Sequence, residues 1–266
     1  MRMVKLNNLL GVIGRKKKKL TFLLGISISL LNLGKLYIFS RRGIKLGFYK
    51  SNLSLAYWYN KDEREEDDKV IKRNVNEGNI VIDIGANIGF LSILMSKIVG
   101  TNGLVFSVEA HPTQFKILGS NLKINSTHNV VAKNYAVGNK NKNTFISNKL
   151  RDDCNSISKK GNSIKMIRLD DMIPESIKKI DFIKIDIEGY EKFAFEGAEK
   201  VLTKTERIYF EAIENNVKKY NYSVSDLFEF LRKKNFEIYS YTNQNKFIKL
   251  DGHKEGNFIA IKKSSN

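Results

Sequence analysis

Short apolar runs and stretches of helical periodicity alternate along the chain from Gly78 onward. The run Ile80–Ile84 is rich in β-branched residues and is bounded by turn residues, which is typical of a buried parallel strand. The same pattern predicts strands at residues 80–84, 104–110, 129–136, 164–169, 181–187, 207–212, 236–242 and 257–262. It predicts helices at residues 88–99, 113–125, 190–202 and 223–234, and a polar loop or hairpin at residues 138–162. Because such alternation implies right-handed crossovers, we expect an α/β fold with a mostly parallel sheet and helices on both faces.

The segment before this regular pattern contains a second type of structure. Residues 36–58 alternate loosely between apolar and polar positions, and we interpret them as two strands that turn near Gly43. The pattern at residues 63–76 predicts a helix. We interpret the acidic cluster at residues 62–68 as a solvated face of this helix rather than as part of a site.

An uncharged run of 15 residues, at positions 20–34, follows the basic cluster at positions 15–19. The run is shorter than the ~18–20 residues that cross a bilayer as a helix. Three interpretations stay open: a helix packed on the rest of the chain or on a partner, an interfacial anchor that holds residues 15–42 on an anionic membrane surface, and a transmembrane span. We therefore divide the chain into a basic, apolar N-terminal extension at residues 1–60, formed by a helix and a β-hairpin, and an α/β domain at residues 61–266.

The net charge of +18 is distributed unevenly. Residues 1–60 contain twelve Lys and Arg and no Asp or Glu, so only +6 remains for the other 206 residues. The basicity comes from 36 Lys against 10 Arg. Arg recognises bases and phosphates better than Lys does, because its planar fork can bond them bidentately. The charge is therefore a weak argument for a nucleic-acid partner.

Cysteine and histidine usage limits the possible metal and disulfide chemistry. The single Cys154 excludes an intramolecular disulfide and a cysteine-rich zinc site. His111, His128 and His253 lie far apart without ligand spacing, so we expect no structural metal. The cysteine usage suits a reducing compartment, and we expect a cytoplasmic protein, with the N-terminal extension as the candidate for peripheral membrane association.

A glycine-containing turn follows the first predicted strand, at residues 83–89. Gly85 and Gly89 allow the backbone to turn sharply and a ligand to approach it closely. A dinucleotide site would need a further glycine where Phe90 stands, and Asp83 before the turn would repel a pyrophosphate. A carboxylate at this place suits a cation instead. The turn therefore favours S-adenosylmethionine, which carries an amino group and a sulfonium, over NAD.

The next predicted strand ends at Glu109, which lies 20 residues beyond Gly89. Dinucleotide-binding folds place an acidic residue at about this spacing, where it accepts hydrogen bonds from ribose hydroxyls. Glu109 therefore indicates an adenosine-type ligand without deciding which cofactor is bound.

A third candidate site lies at residues 181–191, across the end of the central strand. Strand alternation places Lys184, Asp186 and Glu188 on one face. Three charges on one face of a central strand are costly unless they are paired or exposed in a cleft. We expect Lys184 to pair with a carboxylate, and one of the two acids to orient an acceptor hydroxyl or to take its proton.

In their order and spacing, these motifs resemble those of FkbM-type methyltransferases. The resemblance covers about residues 78–214 and rests on DIGANIG at residues 83–89, Glu109 with Pro112, Leu169-Asp170-Asp171, IKIDIEGYE at residues 183–191, and Gly197-Ala198. It implies a Rossmann-like class I methyltransferase fold with a seven-stranded, mostly parallel sheet. It also implies S-adenosylmethionine-dependent O-methylation, often of sugar or polyketide hydroxyls.

The resemblance also implies roles for single residues. Cofactor binding would fall to Asp83, Gly85, Asn87 and Glu109. The adenine would lie near residues 134–136, and the reacting methyl group would be bordered by Asp186, Glu188 and Gly189. The sequence departs from the family's usual pattern in Glu109-Ala110-His111-Pro112, where the family more often has Pro and Asn in the middle.

We therefore predict an S-adenosylmethionine-dependent O-methyltransferase that acts on a hydroxyl of a sugar, a polysaccharide or a related metabolite, with no metal. The predicted catalytic residues are Asp186 and Glu188. The predicted cofactor-binding residues are Asp83, Gly85, Ala86, Asn87, Gly89, Glu109, Ala110, Asn134, Ala136 and Asp186. A nucleic-acid methyltransferase or a basic RNA-binding protein is the main alternative. A non-enzymatic membrane or scaffold protein and a nicotinamide oxidoreductase are two further alternatives.

Overall fold

Eight strands form one mixed sheet in the computed structural model, which describes residues 19–31, 33–149, 151–241, 247–250 and 254–263. The strands among the described residues are β1 Gly34–Arg41, β2 Ile44–Phe48, β3 Ile80–Ile84, β4 Leu104–Val108, β5 Val130–Lys133, β6 Ala136–Val137, β7 Lys142–Ile146, β8 Ile157–Ser158, β9 Asn162–Ile167, β10 Ile180–Ile185, β11 Thr205–Ala212, β12 Phe236–Tyr241, β13 Phe247–Lys249 and β14 Gly256–Lys262.

The helices account for most of the remaining regular structure. The α-helices are α1 Lys19–Leu31, α2 Asn52–Tyr59, α3 Glu65–Asn74, α4 Phe90–Val99, α5 Pro112–Ile124, α6 Leu169–Met172, α7 Glu191–Glu196, α8 Glu199–Thr203, α9 Glu214–Val217 and α10 Val224–Lys233. Short 3₁₀-helices lie at Asp152–Cys154 and Lys218–Tyr220.

The large sheet has the strand order β13-β12-β14-β11-β10-β3-β4-β5. Neighbouring strands from β11 to β5 are parallel, whereas β14 is antiparallel to both β11 and β12. The predicted α/β class with a mostly parallel sheet is thereby confirmed. The sheet has one strand more than the expected seven, because the short β13 pairs with the outer edge of β12.

The two faces of the sheet have separate hydrophobic cores. Alternate residues of β10 face opposite sides, so that Ile183 packs with the helices α7, α8 and α10, whereas Phe182 packs with α4 and α5. The register of the central strands aligns Ile185 with Ile84, and Ile84 with Val108. The carboxyl ends of β10, β3 and β4 therefore lie side by side, which is where open α/β sheets bind their ligands.

A second, four-stranded sheet has the order β6-β9-β7-β8. The predicted strand at residues 129–136 is therefore wrong as a single element: β5 belongs to the large sheet and β6 to the small one. The chain turns between them at Asn134, whose side-chain amide donates to the backbone oxygens of Glu109 and Ala110. The side-chain amide thus fixes the turn beside the end of β4.

The N-terminal hairpin turns at Arg42 and Gly43, as predicted. The second predicted strand continued to residue 58, but β2 ends at Phe48 and α2 follows, with Ser51 as its N-cap. A serine at this position satisfies a free backbone N–H of the helix, which favours the helix over a strand. The side chains of Phe48 and Tyr57 are fully buried in the same core as Phe90.

Part of the extension lies beyond the described residues. The basic residues 15–18 and His253 are among those outside the described part of the chain. Within the described part, no helix combines the length and the apolar character that crossing a membrane requires. The domain boundary near residue 60 stays a prediction.

Candidate active site

A cleft opens at the carboxyl ends of β3, β4 and β10. It is lined by Arg64, Ile84, Gly85, Asn87, Val108, Glu109, Ala110, Tyr135, Ala136, Val137, Ile146, Asp152, Asp153, Asn155, Ile157, Asp186, Ile187, Glu188 and Tyr190. The cavity volume of the cleft is about 60 Å³, or about 630 Å³ when its open mouth is included. The cleft is therefore narrow, and its apolar end is formed by a hydrophobic cluster that includes Ala136, Ile146, Ile157 and Tyr190.

The glycine turn after β3 forms the floor of the cleft. Gly85 has a φ of 78°, and a Cβ atom there would lie 2.0 Å from the backbone oxygen of Asp186. Only glycine permits this approach between two strand ends. Asn87 also has a positive φ, of 50°, and its buried side-chain oxygen has no hydrogen-bond partner in the described part of the chain. This oxygen is a free acceptor on the cleft wall.

Glu109 lies beside the glycine turn, as its position after β4 predicts. Its carboxylate accepts hydrogen bonds from the backbone N–H groups of Asn87 (2.8 Å) and His111 (2.7 Å). Burial raises the pKa of Glu109 to about 7, although these two N–H groups oppose the shift. One side chain thus links the glycine turn to the loop after β4.

Asp83 lies behind the cleft and does not line it, contrary to the predicted contact with the cofactor. Its side chain is fully buried, accepts a hydrogen bond from Ser92 and lies 3.5 Å from the Lys184 ammonium. The strand direction explains this placement, because Asp83 points towards α4 rather than beyond the strand end. The geometry supports an indirect role, in which Asp83 holds Lys184 beneath the glycine turn.

Lys184 and Arg64 both reach Asp186. The Asp186 carboxylate lies 3.2 Å from Arg64 and 3.8 Å from Lys184. Burial acts to raise the pKa of Asp186, but the charges of Lys184 and Arg64 outweigh it and hold this pKa below its usual value. Asp186 is therefore an ionised hydrogen-bond acceptor at neutral pH.

The prediction that the acidic cluster at residues 62–68 is a solvated face is wrong in part. Asp67 and Asp68 are buried: Asp68 pairs with Arg42, and Asp67 accepts a hydrogen bond from the Tyr209 hydroxyl. Arg64 is the functional residue that sequence reasoning missed here. A lone Arg within an acidic cluster was the available signal, but its partner lies 122 residues away.

Glu188 and Glu191 shape the loop that follows β10. Glu188 has a φ of 59° and accepts a hydrogen bond from the Asn216 side chain. Burial, and then the charge of Asp186, raises the pKa of Glu188. Glu191 is buried beneath the loop and accepts hydrogen bonds from the backbone N–H groups of Ile187 and Gly189. Glu191 therefore holds the backbone that presents Asp186 and Glu188.

The structure brings most of the predicted site residues together. Those that line the cleft are Gly85, Asn87, Glu109, Ala110, Ala136, Asp186 and Glu188. Four predicted cofactor residues do not line it: Asp83, Ala86, Gly89 and Asn134. Gly89 and Asn134 support the wall instead, because Gly89 lets α4 pack against Leu118 and Asn134 bonds the loop after Glu109.

The apolar end of the cleft includes residues that the sequence patterns did not single out. They are Tyr135, Val137, Ile146, Ile157 and Tyr190. Four of them belong to the small sheet or to the turn before it, and the pairing of the small sheet's strands has no local signature in the sequence. A flat, apolar group such as a nucleobase fits this end of the cleft.

A change of Glu109 to glutamine tests the acidic wall. We expect about 10- to 100-fold weaker binding of S-adenosylhomocysteine, since a charge-assisted hydrogen bond contributes ~1.5–3 kcal/mol. In the unchanged protein, affinity is expected to fall as the pH drops through about 7, because protonated Glu109 loses acceptor capacity. Titration calorimetry at several pH values measures both effects. A pH dependence that survives in Glu109→Gln would contradict this assignment.

Comparison with known proteins identifies a family for the chain. The sequence model of the family described as "Methyltransferase FkbM domain" matches residues 83–238. A comparison with curated proteins gives no match. Similar solved structures include a methyltransferase FkbM from Methylobacillus flagellatus KT, with 15% identity and a TM-score of 0.47. That alignment covers 70% of this chain and 44% of the other, so this chain spans less than half of that protein.

Two further solved structures show the same level of similarity. One is a SAM-dependent O-methyltransferase from Thermotoga maritima, with 18% identity, a TM-score of 0.45, and coverage of 76% of this chain and 66% of that one. The other is a fibrillarin from Aeropyrum pernix with natively bound S-adenosyl-L-methionine, with 13% identity, a TM-score of 0.44 and coverage of 74% of each chain. Similarities this distant do not transfer a role from one residue to another.

Proposed function

The chain belongs to the FkbM methyltransferase family and is a methyltransferase, and we propose that it transfers the methyl group of S-adenosylmethionine to a hydroxyl oxygen. One observation carries the proposal beyond the family: a single cleft joins the glycine turn, the Glu109 carboxylate and the Asp186 carboxylate. A cationic adenosine cofactor needs these three elements, namely a close backbone, an acceptor for ribose hydroxyls and nearby negative charge.

The residues of the cleft fit this cofactor. The free oxygen of Asn87 is an acceptor for an ammonium or hydroxyl group, which would satisfy its hydrogen-bonding capacity. Glu109 lies beside it, where ribose hydroxyls would bind, and the apolar end beyond Ala136 would hold the adenine. Asp186 and Glu188 supply the negative charge that a sulfonium requires.

The chain's own residues would act mainly by positioning. When bound, S-adenosylmethionine supplies an electrophilic methyl group on a sulfonium. Asp186 would accept the hydrogen bond of the acceptor hydroxyl, align its oxygen with the methyl carbon and take the proton as the new C–O bond forms. Alignment of this kind supplies up to ~7–11 kcal/mol, and the base adds about 10²–10⁴-fold. Arg64 and Lys184 would hold the Asp186 carboxylate in place.

We assign the acceptor to sugars, polysaccharides or related hydroxyl-bearing metabolites. The cleft is lined by five carboxylates, Glu109, Asp152, Asp153, Asp186 and Glu188, against the single cation Arg64. Nucleic-acid methyltransferases attract phosphates to their sites with basic surfaces. The basic residues of this chain are concentrated in residues 1–60 instead. This charge distribution supports a hydroxyl acceptor over the nucleic-acid alternative.

The decisive experiment uses S-adenosylmethionine with a labelled methyl group and fractionated cell extract. Transfer of label to a glycan or metabolite fraction, through a bond that resists mild base as an ether does, would support the proposal. Label in RNA or DNA that is removed by nuclease treatment would replace it with the alternative. Absence of cofactor binding in calorimetry would remove the proposal altogether.

We further propose that the N-terminal extension docks on an anionic membrane surface. Among the described residues of the extension, five apolar side chains have exposed fractions of 47–84%: Leu24, Leu30, Leu31, Leu36 and Ile38. They follow the basic cluster at residues 15–19 in the sequence. Apolar side chains beside lysines are suited to the boundary between headgroups and acyl chains.

Vesicle flotation tests this surface. Full-length protein is expected to float with vesicles that contain phosphatidylserine and to stay behind with vesicles of phosphatidylcholine alone. Changing Leu30 and Leu31 to aspartate should abolish flotation. Two apolar side chains would no longer insert into the lipid, and two negative charges would face an anionic surface. Ile248→Asp is the control, since Ile248 is 55% exposed outside the extension. Equal flotation of both variants would contradict the proposal.

A further inference from the structure

A second cavity adjoins the cofactor cleft at Asp186. Its volume is about 380 Å³, which is within the usual range for small-molecule sites. Arg64 and Asp186 line both the cleft and this cavity. A molecule bound in the second cavity can therefore reach the Asp186 carboxylate, which also lines the cofactor cleft.

The position of this cavity in the fold agrees with binding. It lies at the ends of β10 and β11, where Asp186 follows one strand and Glu211 stands near the end of the other. Ligands of open α/β sheets bind beyond such strand ends. One wall of the cavity is formed by α3 and the residues just before it, which precede the large sheet in the sequence.

The walls of the second cavity carry an excess of negative charge. Six carboxylates line it: Asp62, Glu65, Glu66, Asp67, Asp186 and Glu211. The two lining cations, Arg64 and Lys184, are already paired with acids. Arg64 pairs with Asp67 and Asp186. Lys184 pairs with Asp83 and Asp186. Glu65 and Glu66 pair with Lys69 at the exposed rim. The inner part of the cavity therefore retains uncompensated negative charge.

The carboxylates crowd most closely beside the reacting position. Oxygen atoms of Asp186, Glu188 and Glu211 all lie within 4.8 Å of one another. Like charges at this distance repel each other unless a cation or a proton lies between them. In agreement, burial and the charges of Asp186 and Glu188 raise the pKa of Glu211 to about 8, so Glu211 carries a proton at neutral pH unless a cation takes the place of that proton.

We propose that the second cavity binds the methyl acceptor and that this acceptor carries a protonated amine close to the hydroxyl that is methylated. The amine would lie beside the Glu211 carboxylate, and the hydroxyl would reach Asp186. Acceptors that carry a phosphate or carboxylate in this position would be excluded by the same charges. The inference rests on the proposed function, and it adds the chemical class of the acceptor.

The test compares three sugars of matched size: glucosamine, glucose and glucuronate. The full-length protein is loaded with S-adenosylhomocysteine in buffer that contains EDTA, and sugar binding is followed by saturation-transfer NMR. We expect glucosamine to bind at least about tenfold more tightly than glucuronate, with glucose between them, because like charges repel and opposite charges attract across a site. Tighter binding of glucuronate, or equal binding of the three sugars, would overturn the proposal.

Matched variants locate the effect. Glu211→Gln should reduce the preference for glucosamine over glucose, whereas Glu206→Gln, on the same strand but 54% exposed, should leave it unchanged. An equal loss in both variants, or a preference that appears only when Mg²⁺ replaces EDTA, would overturn the role of the amine. If S-adenosylhomocysteine itself fails to bind, the proposed function fails. If it binds and no sugar preference follows, only the acceptor class fails.

Discussion

Replacing Gly85 by alanine is expected to abolish cofactor binding and to lower the free energy of unfolding by at least ~2 kcal/mol. The glycine has a φ of 78°, which disfavours any residue with a Cβ atom. A Cβ atom would also lie 2.0 Å from the Asp186 backbone oxygen, and this neighbour cannot rotate away. Relief of the clash must separate the ends of β3 and β10, which are the floor of the cleft.

Gly119 offers a matched control for this prediction. It lies within α5, and a Cβ atom there would meet no other atom within 4 Å. Gly119→Ala should therefore raise the free energy of unfolding by ~0.5–1 kcal/mol, as alanine does in a helix interior. Thermal unfolding and calorimetry with S-adenosylhomocysteine measure both variants. If Gly85→Ala behaved like Gly119→Ala, the close contact between the two strand ends would be refuted.

The elements that could be predicted are those with a local signal. The strand Ile80–Ile84 has the predicted bounds because a short run rich in β-branched residues, placed between turn residues, favours a strand. Glu109 reached the cleft because strand ends meet at one edge of a parallel sheet, so its position followed from the spacing alone. Local patterns thus identified the cofactor half of the site.

The remaining parts depend on contacts between distant segments. Asp83 and Asp186 both lie near strand ends, yet only Asp186 faces the cleft. Asp186 begins the loop after β10, and the shape of this loop depends on the left-handed conformations of Glu188 and Gly189. Arg64 reaches Asp186 across 122 residues. Residues 52–58 formed a helix rather than a strand because of the serine cap and packing on Phe90. No periodicity encodes such pairings.

Asp186 is the residue on which the two cavities converge, and its charge state follows from its neighbours. Arg64 and Lys184 keep its pKa low, so it stays ionised at every pH at which the protein would be assayed. Glu188, in contrast, has a raised pKa and faces only the cofactor cleft. The two acids therefore differ in both position and pH response, which makes their roles separable.

Asp186→Asn is expected to lower kcat by about 10²–10⁴-fold, because the amide cannot take the acceptor's proton. Affinity for S-adenosylhomocysteine should be nearly unchanged, since its sulfur is uncharged and Glu109 is intact. Asp171→Asn, at an exposed carboxylate, should leave kcat unchanged. With an acceptor from the labelling experiment, kcat should stay level down to about pH 5. A fall in kcat as the pH drops through the raised pKa of Glu188, absent in Glu188→Gln, would assign the proton transfer to Glu188 instead.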